Sequence, residues 1–91
     1  MSNAALRLIA QAKKEKAKVL DLGNCGLTEL SEELFELHWL EELYVSNRYW
    51  DLEKGKWIES NNSGKPNKLG KIPVGIQNLK QLKKLVICGI D

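Results

Sequence analysis

The sequence predicts an α/β domain built as a short solenoid. About three parallel strands with helical returns follow a capping helix, and a β-hairpin is inserted between the second and third strands. Three observations predict it. Fifteen of the 91 residues are Leu, against one Phe and one Met. Two offsets align triplets with apolar first and third residues: Leu20-Asp21-Leu22 falls on Leu43-Tyr44-Val45 after 23 residues, and that triplet falls on Leu85-Val86-Ile87 after 42, so about 19 extra residues lie before the third unit. Five apolar positions also recur with identical gaps of 3, 4, 3 and 3, as Leu27, Leu30, Leu34, Leu37 and Leu40, and again as Leu69, Ile72, Ile76, Leu79 and Leu82. A fixed period of this length is the signature of a repeat architecture.

The spacing has a physical reason. In Leu20-x-Leu22 both Leu side chains leave a strand on one side and Asp21 leaves it on the other. The spacings 34, 37, 40 and 76, 79, 82 place one apolar stripe on a helix or helical turn. A single strand with its return cannot bury its own Leu face. Stacking the units, with strands about 4.8 Å apart, buries a continuous core.

Met1-Ser2-Asn3-Ala4 reads as a start residue with a vector remnant. The rest reads as one domain: a capping helix over 5–17, two units over 18–48, the insertion over 49–68 and a partial third unit over 69–91. The helix carries Leu6, Ile9, Ala10 and Ala17 near one face and Arg7, Lys13, Lys14 and Lys16 elsewhere, with Asn3 as candidate N-cap. Such a helix covers the open end of a solenoid. A basic helix lying on a membrane is the competing reading, and the small apolar face without an aromatic argues against it.

The insertion carries Tyr49, Trp50 and Trp57. Residues 52–57 read as a hairpin turn with Gly55 supplying a positive φ, which sets Trp50 and Trp57 facing across two strands. Residues 60–67 read as a polar loop. The hairpin is either a local cover for apolar surface or an aromatic knob for a partner.

Composition excludes several classes. A net charge of +2 does not indicate nucleic acid or a membrane surface. The Lys-bearing, Trp-bearing insertion has the ingredients of single-strand nucleic-acid binding, but Glu53 and Glu59 dilute its charge. No apolar run approaches a membrane span and no signal peptide is visible, so a reducing cytoplasm is expected, with Cys25 and Cys88 as thiols. His38 is the only histidine, and no nucleophile–base set, metal-ligand spacing or phosphate loop accompanies it. No enzymatic activity, cofactor or metal is expected. Charge is uneven: residues 29–42 hold six Glu and no Lys or Arg, whereas residues 54–71 hold five Lys against Glu59. The chain ends on an apolar run, Leu85-Val86-Ile87-Cys88-Gly89-Ile90, followed by Asp91, with no polar closing helix. Two copies are therefore expected to bury this edge against each other or exchange strands.

The residues Ala17, Leu20, Leu22, Cys25 and Leu27 follow the pattern L-x-x-L-x-L-x-x-N/C-x-L. Leu40, Leu43, Val45 and Leu82, Leu85, Ile87 begin the same pattern again. This resembles the leucine-rich repeat family. Ile72-Pro73 with Ile76, Leu79 and Leu82 is similar to its 23-residue, LP-containing subclass, and Ser31 stands in place of that Pro in the first unit. The N/C position is taken by Cys25, then Arg48, then Ile90, and Arg48 is expected to turn outward and start the insertion. The first unit, the aromatic insertion and Asn78-Leu-Lys-Gln-Leu82 also resemble the N-terminal repeats of bacterial Roco-type proteins, in which such repeats precede a GTP-binding Roc domain and a COR dimerisation domain. The resemblance implies protein–protein recognition on the inner strand face. The residues it places there are Val19, Asp21, Gly23 and Asn24, then Glu42, Tyr44, Ser46 and Asn47, then Lys84, Val86 and Cys88. Asp21, Asn24, Glu42, Tyr44, Asn47, Lys84 and Val86 are the candidate partner-binding set, with Tyr49, Trp50 and Trp57 as candidate insertion aromatics. The alternative it implies is a regulatory recognition segment of a larger Roco-type GTPase, without catalytic residues of its own.

Overall fold

A computed structural model of the chain describes residues 3–70 and 74–87, with only the backbone described at Asn3. The candidate N-cap side chain of Asn3, the Ile72-Pro73 pair, Cys88 and Ile90 lie outside the described residues. The described chain forms a small mixed α/β domain with one α-helix and a three-stranded parallel sheet.

Helix α1 spans Asn3–Glu15. It stops because Lys16 adopts a left-handed backbone, φ 53°, and the Ala17 N–H reaches back to the Ala12 carbonyl at 3.0 Å. That six-to-one bond is a Schellman closure, here with Lys where glycine is usual. Ala5, Ile9 and Ala12 form the buried stripe, with Leu8 partly buried beside them. The predicted face is thereby corrected. Leu6 is 37% exposed and Ala10 is exposed, because the stripe at spacings of 4 and 3 starts from Ala5 rather than Leu6. Two alanines on that stripe let the helix approach the first strand closely.

The parallel sheet contains β1 (Val19–Asp21), β2 (Glu42–Tyr44) and β5 (Lys84–Val86), in the order β1-β2-β5. Its register pairs Leu20 with Leu43 and Leu43 with Leu85, the residues that the offsets of 23 and 42 align. Leu20, Leu22, Leu43 and Val45 are buried on one side of the sheet. Each crossover carries a short 3₁₀ helix, Glu32–Glu36 in the first and Val74–Asn78 in the second. The repeated gap of 3 matches a helix with three residues per turn. Matching turns follow them: Leu37 and Leu40 donate to the carbonyls of Leu34 and Leu37, and Leu79 and Leu82 donate to those of Ile76 and Leu79. Ser31 caps the first by accepting a bond from the Glu33 N–H at 3.1 Å, an acceptor proline would not supply. The two 3₁₀ helices pack together because Gly75 leaves room for Phe35. A Cβ at Gly75 would lie 2.5 Å from that ring.

The 23 and 42 offsets also align three charges. Glu41 forms ion pairs with Lys18 at 3.4 Å and Lys83 at 3.3 Å. The bond and charge of Lys83, helped by Lys18, hold the Glu41 carboxyl below its ordinary pKa. A carboxylate whose folded pKa is depressed contributes stability above its unfolded pKa and loses it as pH falls through the folded value. Glu41→Gln is therefore expected to lower the melting temperature modestly near neutral pH and to converge with the parent in acid. Thermal melts across an acid pH series check this. A constant gap between the two proteins at every pH would contradict it.

Candidate functional site

Between β2 and the second 3₁₀ helix the chain makes an excursion. It begins with a hairpin of β3 (Arg48–Asp51) and β4 (Lys56–Glu59), antiparallel, with Tyr49 opposite Ile58 and Trp50 opposite Trp57. Gly55 supplies the expected positive φ, 63°, and its N–H donates to the Asp51 carbonyl at 2.8 Å. The Asp51 carboxylate accepts the backbone N–H groups of Lys54 and Glu53, which holds it below the usual carboxylate range despite partial desolvation.

Strand alternation divides the hairpin's side chains into two sets. Trp50 and Trp57, 49% and 54% exposed, meet edge to face at 5.6 Å and 80°. Arg48 is exposed and lays its guanidinium 4.7 Å above the Trp57 ring. Tyr49 and Ile58 are half-buried and face the parallel sheet. Tyr49 stacks on Tyr44 of β2, with centroids 5.3 Å apart and planes 24° apart. Lys84 of β5 lies above both rings, its Nζ 5.4 Å from Tyr44 and 5.2 Å from Tyr49. The Tyr44 hydroxyl donates to the Glu42 carboxylate, and burial together with this bond pushes the phenol pKa up. The hairpin and sheet thus make one continuous surface. It has a cleft of about 220 Å³ on one side, lined by Val19, Tyr44, Tyr49 and Ile58, and a groove on the other, between Tyr49, Trp50, Lys84 and Val86.

The candidate site residues separate into two sets. Glu42, Tyr44, Lys84, Val86, Tyr49, Trp50 and Trp57 belong to this surface. Asp21, Asn24 and Asn47 have side chains held in hydrogen bonds along the turn that follows β1, and Asp21 also lines the cleft beside Tyr44. Asp21 accepts from the Ser60 hydroxyl at 2.8 Å and the Asn61 N–H at 2.9 Å. Asn24, with φ 52°, donates its side-chain amide to the Asn62 carbonyl at 3.0 Å. Asn47 accepts from the backbone N–H groups of Asn24 and Asn67. In return, Asn62 donates to the carbonyls of Asp21 and Gly23, and Gly26 donates to that of Lys65. The segment expected to be a polar loop is therefore tied down along the turn that follows β1.

Asn67, read before as part of that loop, is only 3% exposed. Its Oδ1 accepts from the N–H groups of Cys25 (3.1 Å) and Leu27 (2.8 Å), and its Nδ2 donates to the carbonyls of Leu22 and Val45 (both 2.8 Å). Both acceptor sites and both donors of one amide are used, each on main chain. The signal was present in the sequence. Asn67-x-Leu69 falls on Cys25-x-Leu27 under the offset of 42. This moves the excursion from 49–68 to 48–66. Asn67, rather than Arg48, follows Val45 in the pattern.

Cys25 is a buried thiol whose pKa is pushed up by burial and by the Asp21 charge, the opposite of a reactive cysteine. His38 is exposed and packs against Trp39. Among the described residues no group of three or more His, Cys, Asp or Glu is placed to hold a metal ion, and no helix is long and apolar enough to cross a membrane. No protein-family model, curated protein or solved structure matches the chain.

Proposed function

We propose that the chain is a short leucine-rich repeat solenoid of three units that serves as a protein-recognition module. The Tyr44–Tyr49 stack beneath Lys84 carries this reading. It joins the strand face to the inserted hairpin in a single, partly apolar surface of rigid aromatics, the composition that concentrates binding energy at interfaces. The identical offsets in register, helical turns and charge ladder support the solenoid. The Asn67 amide supports it further, because its bonds reach the main chain of both the first and second units. The partner is a protein, and the chain acts as a scaffold rather than a catalyst.

Selection of displayed peptides on the immobilised chain tests the reading. Tyr44→Ala is expected to weaken capture of the selected peptides at least about tenfold, as loss of a central aromatic anchor does. Trp50→Ala separates the strand face from the outer side of the hairpin. If folded Tyr44→Ala and Trp50→Ala both capture the same peptides as strongly as the parent, the proposed surface is wrong.

A further inference from the structure

We infer that the open edge of β5 is a self-association surface, occupied by the same strand of a second copy running antiparallel about a two-fold axis at Leu85. The inference does not rest on what the aromatic surface binds, although the second copy would border the groove beside Val86 that belongs to that surface. Among the described residues β5 has a neighbouring strand on one side only. Lys84 donates its N–H to the Glu41 carbonyl, and the Val86 carbonyl accepts from Val45 and Ser46, so residues 84 and 86 aim their main chain at β2. Leu85, between them, aims its N–H and C=O at the open side. That pair is what an added strand needs.

The side chains favour a second copy in one register. Leu85 is 39% exposed, although its register partner Leu43 is fully buried, and Val74 is 77% exposed. An antiparallel pair centred on Leu85 sets Leu85 against Leu85 and Lys84 against Val86. The backbone groups of the two leucines then form the central hydrogen-bonded pair. A centre on Lys84 would oppose like charges, which is destabilising across strands. In the Leu85 register, Lys84 of the second copy approaches the groove beside Val86, where Asp51 and Glu53 supply negative charge. The edge is thus self-complementary in hydrogen bonding, apolar contact and charge.

Sedimentation of the full chain from micromolar to low-millimolar concentration is expected to show a reversible monomer–dimer equilibrium. Val86→Lys, which opposes two lysines twice, is expected to weaken it at least tenfold while leaving the monomer's circular dichroism and melting temperature near those of the parent. In a Cys88→Ser background, Leu85→Cys is expected to form an intermolecular disulfide under mild oxidation much faster than Lys83→Cys, because only position 85 meets itself across the axis. A monomer at every concentration would overturn the inference. So would dimerisation undiminished by Val86→Lys in a folded protein, or equal crosslinking at positions 83 and 85.

Discussion

Asn67→Ala is expected to be the most damaging polar substitution in the chain, lowering stability by about 4 kcal/mol. The side chain of Asn67 serves the N–H groups of Cys25 and Leu27 and the carbonyls of Leu22 and Val45. Each residue in that set is itself buried, so water does not replace the lost partner without disrupting the packing. A buried main-chain group left unpaired costs about 1–3 kcal/mol, and the four losses are not fully additive. For a domain of this size 1 kcal/mol corresponds to about 4–8 °C of melting temperature, so the variant should melt about 20 °C lower or fail to fold. Asn47→Ala is the internal control. It removes an acceptor from only two N–H groups, in a half-buried position, and should cost about 1–2 kcal/mol. Chemical denaturation of both variants checks the order. Equal losses would mean that the Asn67 amide does not tie the segments after β1 and β2 together.

The second large effect is a contrast between two leucines in one register. Leu43 and Leu85 are paired across β2 and β5, but Leu43 is 0% exposed and Leu85 is 39% exposed. Leu43→Ala removes a fully enclosed side chain and leaves a cavity, which costs about 3–5 kcal/mol. Leu85→Ala removes a side chain that keeps much of its surface in water, and about 1 kcal/mol is expected in the monomer. The difference should appear in urea midpoints with little change of slope. Similar losses at both positions, measured at a concentration where the protein is monomeric, would contradict the contrast.

The register was legible in the sequence because apolar side chains report burial directly. Leu20 and Leu43 are buried in one core and Leu85 takes the matching register position at its exposed end, so aligning the three aligned the strands. The 3₁₀ turns were half legible. A gap of 3 at Leu34, Leu37 and Leu40 fits both an α-helix and a 3₁₀ helix over so short a span. The buried stripe of α1 was legible only in part: Ile9 and Ala17 were placed on it, but Ala5 and Ala12 carry little hydrophobic signal, and Leu6, which carries more, is exposed.

The second half of the excursion was the least legible part. Ser60, Asn61 and Asn62, with Asn67 just beyond them, have the composition of a solvated loop, and composition records donors and acceptors without saying where their partners lie. Those partners are about 40 residues away, at Asp21, Gly23 and Cys25, and become visible only once β1 and β2 are paired. The same holds for the candidate site. Tyr44 and Lys84 could be assigned to one face by strand alternation. The stacking of Tyr49 on Tyr44 depends on how the hairpin leans over the sheet, which no local pattern encodes.

The central proposal is that two successive 23-residue spacings, which set three strands side by side, are interrupted in the second by a 19-residue excursion joined between Asn47 and Asn67. Deleting residues 48–66 tests it most directly. Asn47 and Asn67 are already neighbours, since the Asn67 N–H donates to the Asn47 side chain at 3.2 Å, and the deletion restores 23 residues between Leu43 and Leu85. The account predicts a less stable but folded protein, because bonds from Ser60, Asn61 and Asn62 are lost while those from Asn67 remain. Its NMR spectrum should be dispersed, with cross-strand contacts linking Leu20 to Leu43 and Leu43 to Leu85. A collapsed spectrum, or a folded protein in which β5 no longer lies beside β2, would contradict the account.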